Sequence, residues 1–66
     1  MIKTRQVAKI HPYYTTWIVV EVKDIEHCTH KYKVYAERYI DGAKRREKRA
    51  EYTDFLDVMS YIDQRL

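Results

Sequence analysis

Five basic side chains fall within six consecutive positions in the second half of the chain. They are Lys44, Arg45, Arg46, Lys48 and Arg49, and only Glu47 interrupts them. The whole chain has 13 basic and 10 acidic residues, so outside this segment 8 basic residues face 9 acidic ones. The positive charge is therefore concentrated in one place. Lys and Arg at this density neutralise phosphates, which indicates a polyanion such as nucleic acid as a partner.

Seven tyrosines and one tryptophan supply a second kind of chemistry. If residues 43–52 form a strand, alternate basic side chains share one face with two tyrosines of the preceding strand. These residues are Tyr35, Tyr39, Lys44, Arg46 and Lys48. Tyrosine stacks on bases or donates to phosphate oxygens, and a two-stranded ribbon fits the DNA major groove. The competing interpretation is an edge strand that is charged so that it resists aggregation.

Residues that could hold a metal or act as a nucleophile are sparse. His27, Cys28 and His30 are close in sequence, and His11 is further away, but structural zinc sites use four ligands in paired spacings. A Cys–His nucleophile needs an oxyanion hole, for which the single glycine offers little backbone. We therefore expect no metal, no cofactor and no catalytic residue, and we predict that the protein is not an enzyme.

The composition predicts one small globular domain over residues 1–66. Apolar residues make up 45% of the chain and charged residues 35%, which is typical of a folded protein. The longest apolar run, Trp17 to Val20, is far shorter than the roughly 20 residues of a membrane span. No signal peptide is recognisable, and the single cysteine cannot form an internal disulfide. We therefore expect a cytoplasmic protein with no membrane contact.

Alternating patterns predict an antiparallel sheet. Residues 3–11 form a first strand that ends at a His-Pro pair, Thr15 to Lys23 form a second, and Lys31 to Ile40 form a third. Asp41-Gly42 then follows between two extended runs. This pair is typical of a type I′ hairpin turn, because both central residues of that turn need positive φ.

The turn predicts the register of a fourth strand over residues 43–52. It places Ile40 opposite Ala43, Tyr39 opposite Lys44, Arg38 opposite Arg45, and Tyr35 opposite Lys48. Arg45, Glu47 and Arg49 would then share a face with apolar residues and could not be buried there, so the hairpin tip must project past the helix. The segment also consists of good helix formers, so three strands and one helix over residues 43–66 remain an alternative.

The final segment predicts a helix. Phe55, Leu56, Met59, Ile62 and Leu66 recur at spacings of three and four. Thr53 is the predicted N-cap, and Asp54 and Asp57 complement the positive end of the helix dipole. The predicted fold class is α+β, with a three- to four-stranded antiparallel sheet packed against one C-terminal helix.

This order of strands, hairpin and helix resembles the arm-type DNA-binding domains of phage and transposon integrases. The resemblance is carried by Trp17 to Val22, Tyr32 to Gly42, the basic run to Arg49, and Thr53 to Ile62. It implies that the sheet lies in the major groove while the helix packs behind it. The layout is also similar to small βββα proteins encoded by phages of Gram-positive bacteria, some of which inhibit host proteins.

These patterns lead to one preferred function and two alternatives. The first is a small regulatory protein that binds DNA through a basic β-hairpin, with these contacts: Tyr35, Tyr39, Lys44, Arg45, Arg46, Lys48 and Arg49. The second is a protein-binding module that inhibits a host protein by docking on an acidic surface, with Tyr13, Tyr14 and Trp17 as anchors. The third is a homodimer in which an open sheet edge pairs across a twofold axis.

Overall fold

In the computed structural model, which describes residues 1–12 and 14–66, the chain forms a four-stranded antiparallel sheet and one helix. The strands are β1 (Ile2–Ile10), β2 (Thr16–Asp24), β3 (Thr29–Ile40) and β4 (Ala43–Tyr52), and the helix is α1 (Phe55–Asp63). Strands adjacent in sequence are adjacent in the sheet. The predicted α+β fold is confirmed, and the alternative helix over residues 43–66 is wrong.

The Asp-Gly turn explains why residues 43–52 form a strand. Asp41 has a φ of 52° and Gly42 a φ of 79°, which are the left-handed conformations of a type I′ turn. The turn directs the chain back along β3, and the predicted pairs form, including Ile40 opposite Ala43. Backbone pairing with β3 over this length therefore overrides the helix propensity of the segment.

The core lies between α1 and one face of the sheet. Its buried side chains come from β2, β3 and α1, and they are Trp17, Val19, Val34, Ala36, Val58 and Ile62. Tyr61 of α1 packs edge-on against Trp17, with the ring centroids 6.1 Å apart. Aromatic burial of this kind stabilises a small core strongly, because each ring removes a large apolar area from water.

The helix begins with Asp54 as its N-cap rather than the predicted Thr53. Asp54 has an extended backbone, and its carboxylate accepts a hydrogen bond from the backbone N–H of Leu56 at 2.9 Å. Thr and Asp both occur as helix N-caps, so the residue type alone does not choose between Thr53 and Asp54. The choice depends on where the chain leaves β4. The helix ends at Asp63. Among the described residues, no helical segment has the length and the apolar composition of a membrane span.

Only one side of the predicted apolar face of α1 contacts the sheet. Ile62 is 1% exposed, and Val58, which was not part of the predicted pattern, is fully buried. Leu56 is 74% exposed. Met59 and Leu66 also stay exposed, whereas Phe55, at 38% exposure, packs edge-on against Tyr32 of β3 with the ring centroids 5.3 Å apart. The spacing pattern found the helix correctly, but the side of the helix that packs on the sheet is shifted from the predicted one.

The other face of the sheet, called the open face below, has no second layer within the described residues. Ile18 on this face is nevertheless only 2% exposed. In the register it lies between Lys9 of β1 and Tyr35 of β3. Long side chains such as these cover an apolar neighbour with their stems while their polar ends stay in water. This explains how Ile18 is buried on a face that has no second layer in the described part of the chain.

Candidate nucleic-acid interface

The β3–β4 hairpin extends beyond the helix and the core. A helix of nine residues is about 13 Å long at about 1.5 Å per residue, whereas β3 with its 12 residues is about 40 Å long at about 3.3 Å per residue. The core residue of β3 nearest the turn is Ala36, and every residue from Arg38 to Arg49 is exposed. Both faces of the hairpin tip, defined here as residues 38–46, are therefore accessible. This agrees with the prediction that the tip projects past the helix.

Five of the seven predicted contact residues lie together on the open face. Side chains alternate along a strand, and Val34 and Ala36 point toward α1. The intervening residues of β3 and their partners on β4 therefore point away from the helix. They include Tyr35, Tyr39, Lys44, Arg46 and Lys48. The guanidinium of Arg46 lies 5.7 Å from the ring centroid of Tyr35, a cation–π distance.

The other two predicted contact residues lie elsewhere. Arg45 is on the helix side of the sheet, directly opposite Arg38. Arg49 is the extra residue of a β-bulge, where the register of β4 shifts by one against β3. Its Nε lies 4.0 Å from Oε2 of Glu47. The basic run is therefore divided between two faces and a bulge.

Two of the open-face cations are already paired with Glu37, which was not among the predicted site residues. Glu37 Oε1 lies 2.9 Å from Lys44 Nζ, and Glu37 Oε2 lies 3.1 Å from the Arg46 guanidinium. The hydrogen bond from Lys44, followed by that from Arg46, holds the pKa of Glu37 below its ordinary value, although burial opposes this shift. The same pairing raises the pKa of Lys44. Both shifts favour the charged forms of Glu37 and Lys44 at neutral pH.

A second carboxylate pairs with the next cations along the open face. Glu51 Oε1 lies 3.1 Å from Lys48 Nζ and 3.5 Å from Lys31 Nζ. The hydrogen bond from Lys48 is the main cause of the lowered pKa of Glu51. The open face therefore carries clusters of two cations around one carboxylate. The register predicted from the Asp41-Gly42 turn was sufficient to identify Glu37 as the cross-strand partner of Arg46 from the sequence.

On the helix side of the hairpin tip, Arg38 and Arg45 form a cross-strand pair of like charges. They are direct partners in the register, and both are exposed. Neither belongs to an ion pair within residues 1–12 and 14–66. Like charges directly opposite one another destabilise a strand pair. Two adjacent guanidiniums also match the oxygens of a phosphate, so a bound anion would relieve this repulsion.

The prediction that Trp17 anchors a protein interface is wrong. It is 6% exposed and packs in the core against Tyr61, so it cannot contact a partner while the protein is folded. The reason is strand alternation, because Trp17 shares the helix-facing side of β2 with Val19. Tyr14 is 92% exposed, and Tyr13 lies outside the described residues.

The residues considered as metal ligands do not converge on one site. The three histidines His11, His27 and His30 contact three different side chains, namely Thr16, Asp24 and Glu21. Cys28 is exposed in the turn between β2 and β3. Within the described residues, the potential ligand atoms of Asp24, Glu26 and His27 lie within 4.8 Å of one another. Asp24 already accepts a hydrogen bond from the backbone N–H of His27, which explains its position without an ion. The absence of a metal remains a prediction.

Comparison with known proteins added no relative to this description. No protein-family model, no curated protein and no solved structure matched the chain. The resemblance to integrase arm-type domains therefore remains a prediction, and the functional argument depends on the geometry of the hairpin.

Proposed function

We propose that this protein is a non-enzymatic binding protein that binds duplex DNA through the β3–β4 hairpin. The observation that carries the proposal is the Arg38–Arg45 pair, which has no carboxylate partner within the described residues and lies at a tip that projects beyond the core. Such a pair supplies two phosphate contacts without first breaking an ion pair of its own.

The shape of the hairpin suits a nucleic-acid groove. A ribbon of two strands is narrow enough to enter the major groove of B-DNA, which is about 12 Å wide. Arg38 and Arg45 on one face of the tip would contact phosphates. Tyr39 on the other face is largely exposed and would donate a hydrogen bond to the backbone. Contacts to phosphate provide affinity and orientation rather than sequence specificity.

The proposal is tested with the variant Arg38→Gln/Arg45→Gln and a labelled random-sequence duplex, over about 50 to 200 mM salt. If each arginine neutralises one phosphate, the log–log salt slope becomes shallower by about 1.8 in the variant. Each contact contributes about eightfold at about 0.1 M salt, so the variant binds about 60-fold more weakly there.

The control is Lys3→Gln/Lys9→Gln, which removes two charges from β1 at the opposite edge of the sheet. These lysines are exposed, and they also lack an ion-pair partner among the described residues. Equal weakening by both double variants would mean that only net charge matters and would refute the role of the hairpin. Absence of binding by the wild type at about 50 mM salt would refute the function.

A second candidate function, inhibition of another protein by direct binding, is favoured by exposed apolar side chains on and after α1. They are Phe55, Leu56, Met59 and Leu66. Apolar groups that collect on one part of a surface are a feature of protein contact sites. For this function we expect no salt-dependent duplex binding, and a partner from cell lysate that is retained after nuclease treatment. Loss of the partner on nuclease treatment would contradict it.

A further inference from the structure

Glu37 is the one charged side chain in the described part of the chain that is buried, at 7% exposure. It lies on the open face between Thr16 of β2 and Arg46 of β4. Both carboxylate oxygens are occupied, Oε1 by Lys44 at 2.9 Å and Oε2 by Arg46 at 3.1 Å. The two cations have half-exposed side chains, whereas the carboxylate between them is fixed beneath the surface.

Because of this arrangement, the two faces of the hairpin present different net charges to a phosphate. On the open face, Lys44, Arg46 and Glu37 together carry one net positive charge, and a phosphate must compete with the buried Glu37 carboxylate for both cations. On the helix side, Arg38 and Arg45 carry two positive charges, and no ion pair within the described residues includes either of them. Competition of this kind lowers the number of counterions released on binding, and therefore lowers the affinity.

We infer that Glu37 attenuates the affinity of the hairpin for nucleic acid by withholding Lys44 and Arg46 from phosphate, so that the Arg38–Arg45 side makes the contacts. This inference rests on the proposed function and identifies a residue that controls its strength. It also differs from the resemblance to integrase arm-type domains, which implies contact through the sheet itself.

The test is Glu37→Gln, which keeps the shape and one hydrogen-bond acceptor but removes the charge. We expect the random-sequence duplex to bind at least about eightfold more tightly at about 0.1 M salt, with a salt slope steeper by about 0.9 for each cation released. A purely structural role for Glu37 would not steepen the slope. Circular dichroism checks that the variant is folded.

Glu47→Gln is the matched control, because it removes the same charge from the same hairpin. Glu47 is exposed and lies on the helix side of the sheet. Its Oε2 is 4.0 Å from Nε of Arg49, so this ion pair is a loose one. Screening limits the effect of such a loosely paired surface charge, so we expect about a twofold change in affinity. Equal tightening by Glu47→Gln and Glu37→Gln would overturn the inference and leave a net-charge effect.

A second variant keeps the inference testable if Glu37→Gln does not fold. Lys44→Gln removes one of the two paired cations and leaves Glu37 paired with Arg46, and we expect an affinity loss of less than about threefold, against about eightfold for Arg45→Gln. Equal losses would overturn the inference.

The outcomes for the inference and for the proposed function are distinct. If the wild type binds duplex and Glu37→Gln binds no more tightly, the attenuating role fails and the proposed function stands. If only Glu37→Gln binds, the wild-type function fails while the attenuating role stands. If neither binds at about 50 mM salt, both fail.

Discussion

Substitutions at Ile62 and Leu56 test which side of α1 holds the fold together. Both are large aliphatic residues on the same helix, and the helical spacing alone assigns both to the core. Ile62 is 1% exposed and Leu56 is 74% exposed. The structure therefore predicts a large difference in unfolding free energy between variants at these two positions.

The expected magnitudes follow from burial. Ile62→Val removes one buried methylene group and costs about 1 kcal/mol, the middle of the range for this exchange. Leu56→Ala removes atoms that are largely in water, and surface substitutions stay within about 0.5 kcal/mol. Ile62→Ala would cost about 2–5 kcal/mol, comparable to the total stability of about 3–5 kcal/mol that so small a domain reaches. Valine is therefore the informative replacement.

The assay is urea unfolding followed by far-UV circular dichroism. The slope for a small domain is about 1 kcal/mol per M urea, so Ile62→Val lowers the midpoint by about 1 M. Leu56→Ala shifts it by less than about 0.5 M. An equal fall in both variants would refute the assignment of the buried side of α1. If the loss at Leu56 depended on protein concentration, a second copy would cover that residue.

Two further predictions concern the helix cap and the carboxylate clusters. Asp54→Ala removes the hydrogen bond from the Leu56 N–H and should lower the unfolding free energy, measured in urea, by about 1 kcal/mol. Thr53→Ala should change the unfolding free energy by less than about 0.5 kcal/mol. A larger loss at Thr53 than at Asp54 would show that Thr53 is the cap. The pKa values of three carboxyl groups, Glu21, Glu37 and Glu51, lie below the ordinary value of 4.5. The main cause in each case is a side-chain hydrogen bond, with His30, Lys44 and Lys48 respectively. A carboxylate whose pKa is lowered by folding stabilises the protein above its unfolded pKa, so the urea midpoint should fall as the pH is lowered below about 4.5. Replacing all three by glutamine should flatten this decline, and an unchanged decline would contradict the assignment.

The sequence by itself determined the turn and the strand register that this turn imposes, because both signals are local. Asp41-Gly42 specifies the turn type through two positive φ values, and the turn then determines each cross-strand pair as far as the bulge. The pairing of Arg38 with Arg45, and of Glu37 with Arg46, was available from this register. Strand alternation likewise separated the two faces of β2.

Whether residues 43–52 form a strand or a helix was determined by tertiary structure. The residues of this segment favour a helix as single residues, but pairing with β3 supplies backbone hydrogen bonds over the whole length of β4. The buried side of α1 was also decided by the sheet, because Val58 and Ile62 are the positions that meet it. Spacing shows that a helix has an apolar side and cannot show how much of that side is covered.

The electrostatic character of the hairpin depended most on the tertiary structure. The basic run appears in sequence as five equivalent cations, but folding separates them into different environments. Lys44 and Arg46 share one buried carboxylate, whereas Arg45 faces Arg38 without one. Coulomb interactions depend on distance and on access to water, and neither quantity can be obtained from a count of charges. Composition therefore identified a basic segment, and only the folded sheet determined which of its cations lie within ion-pair distance of a carboxylate.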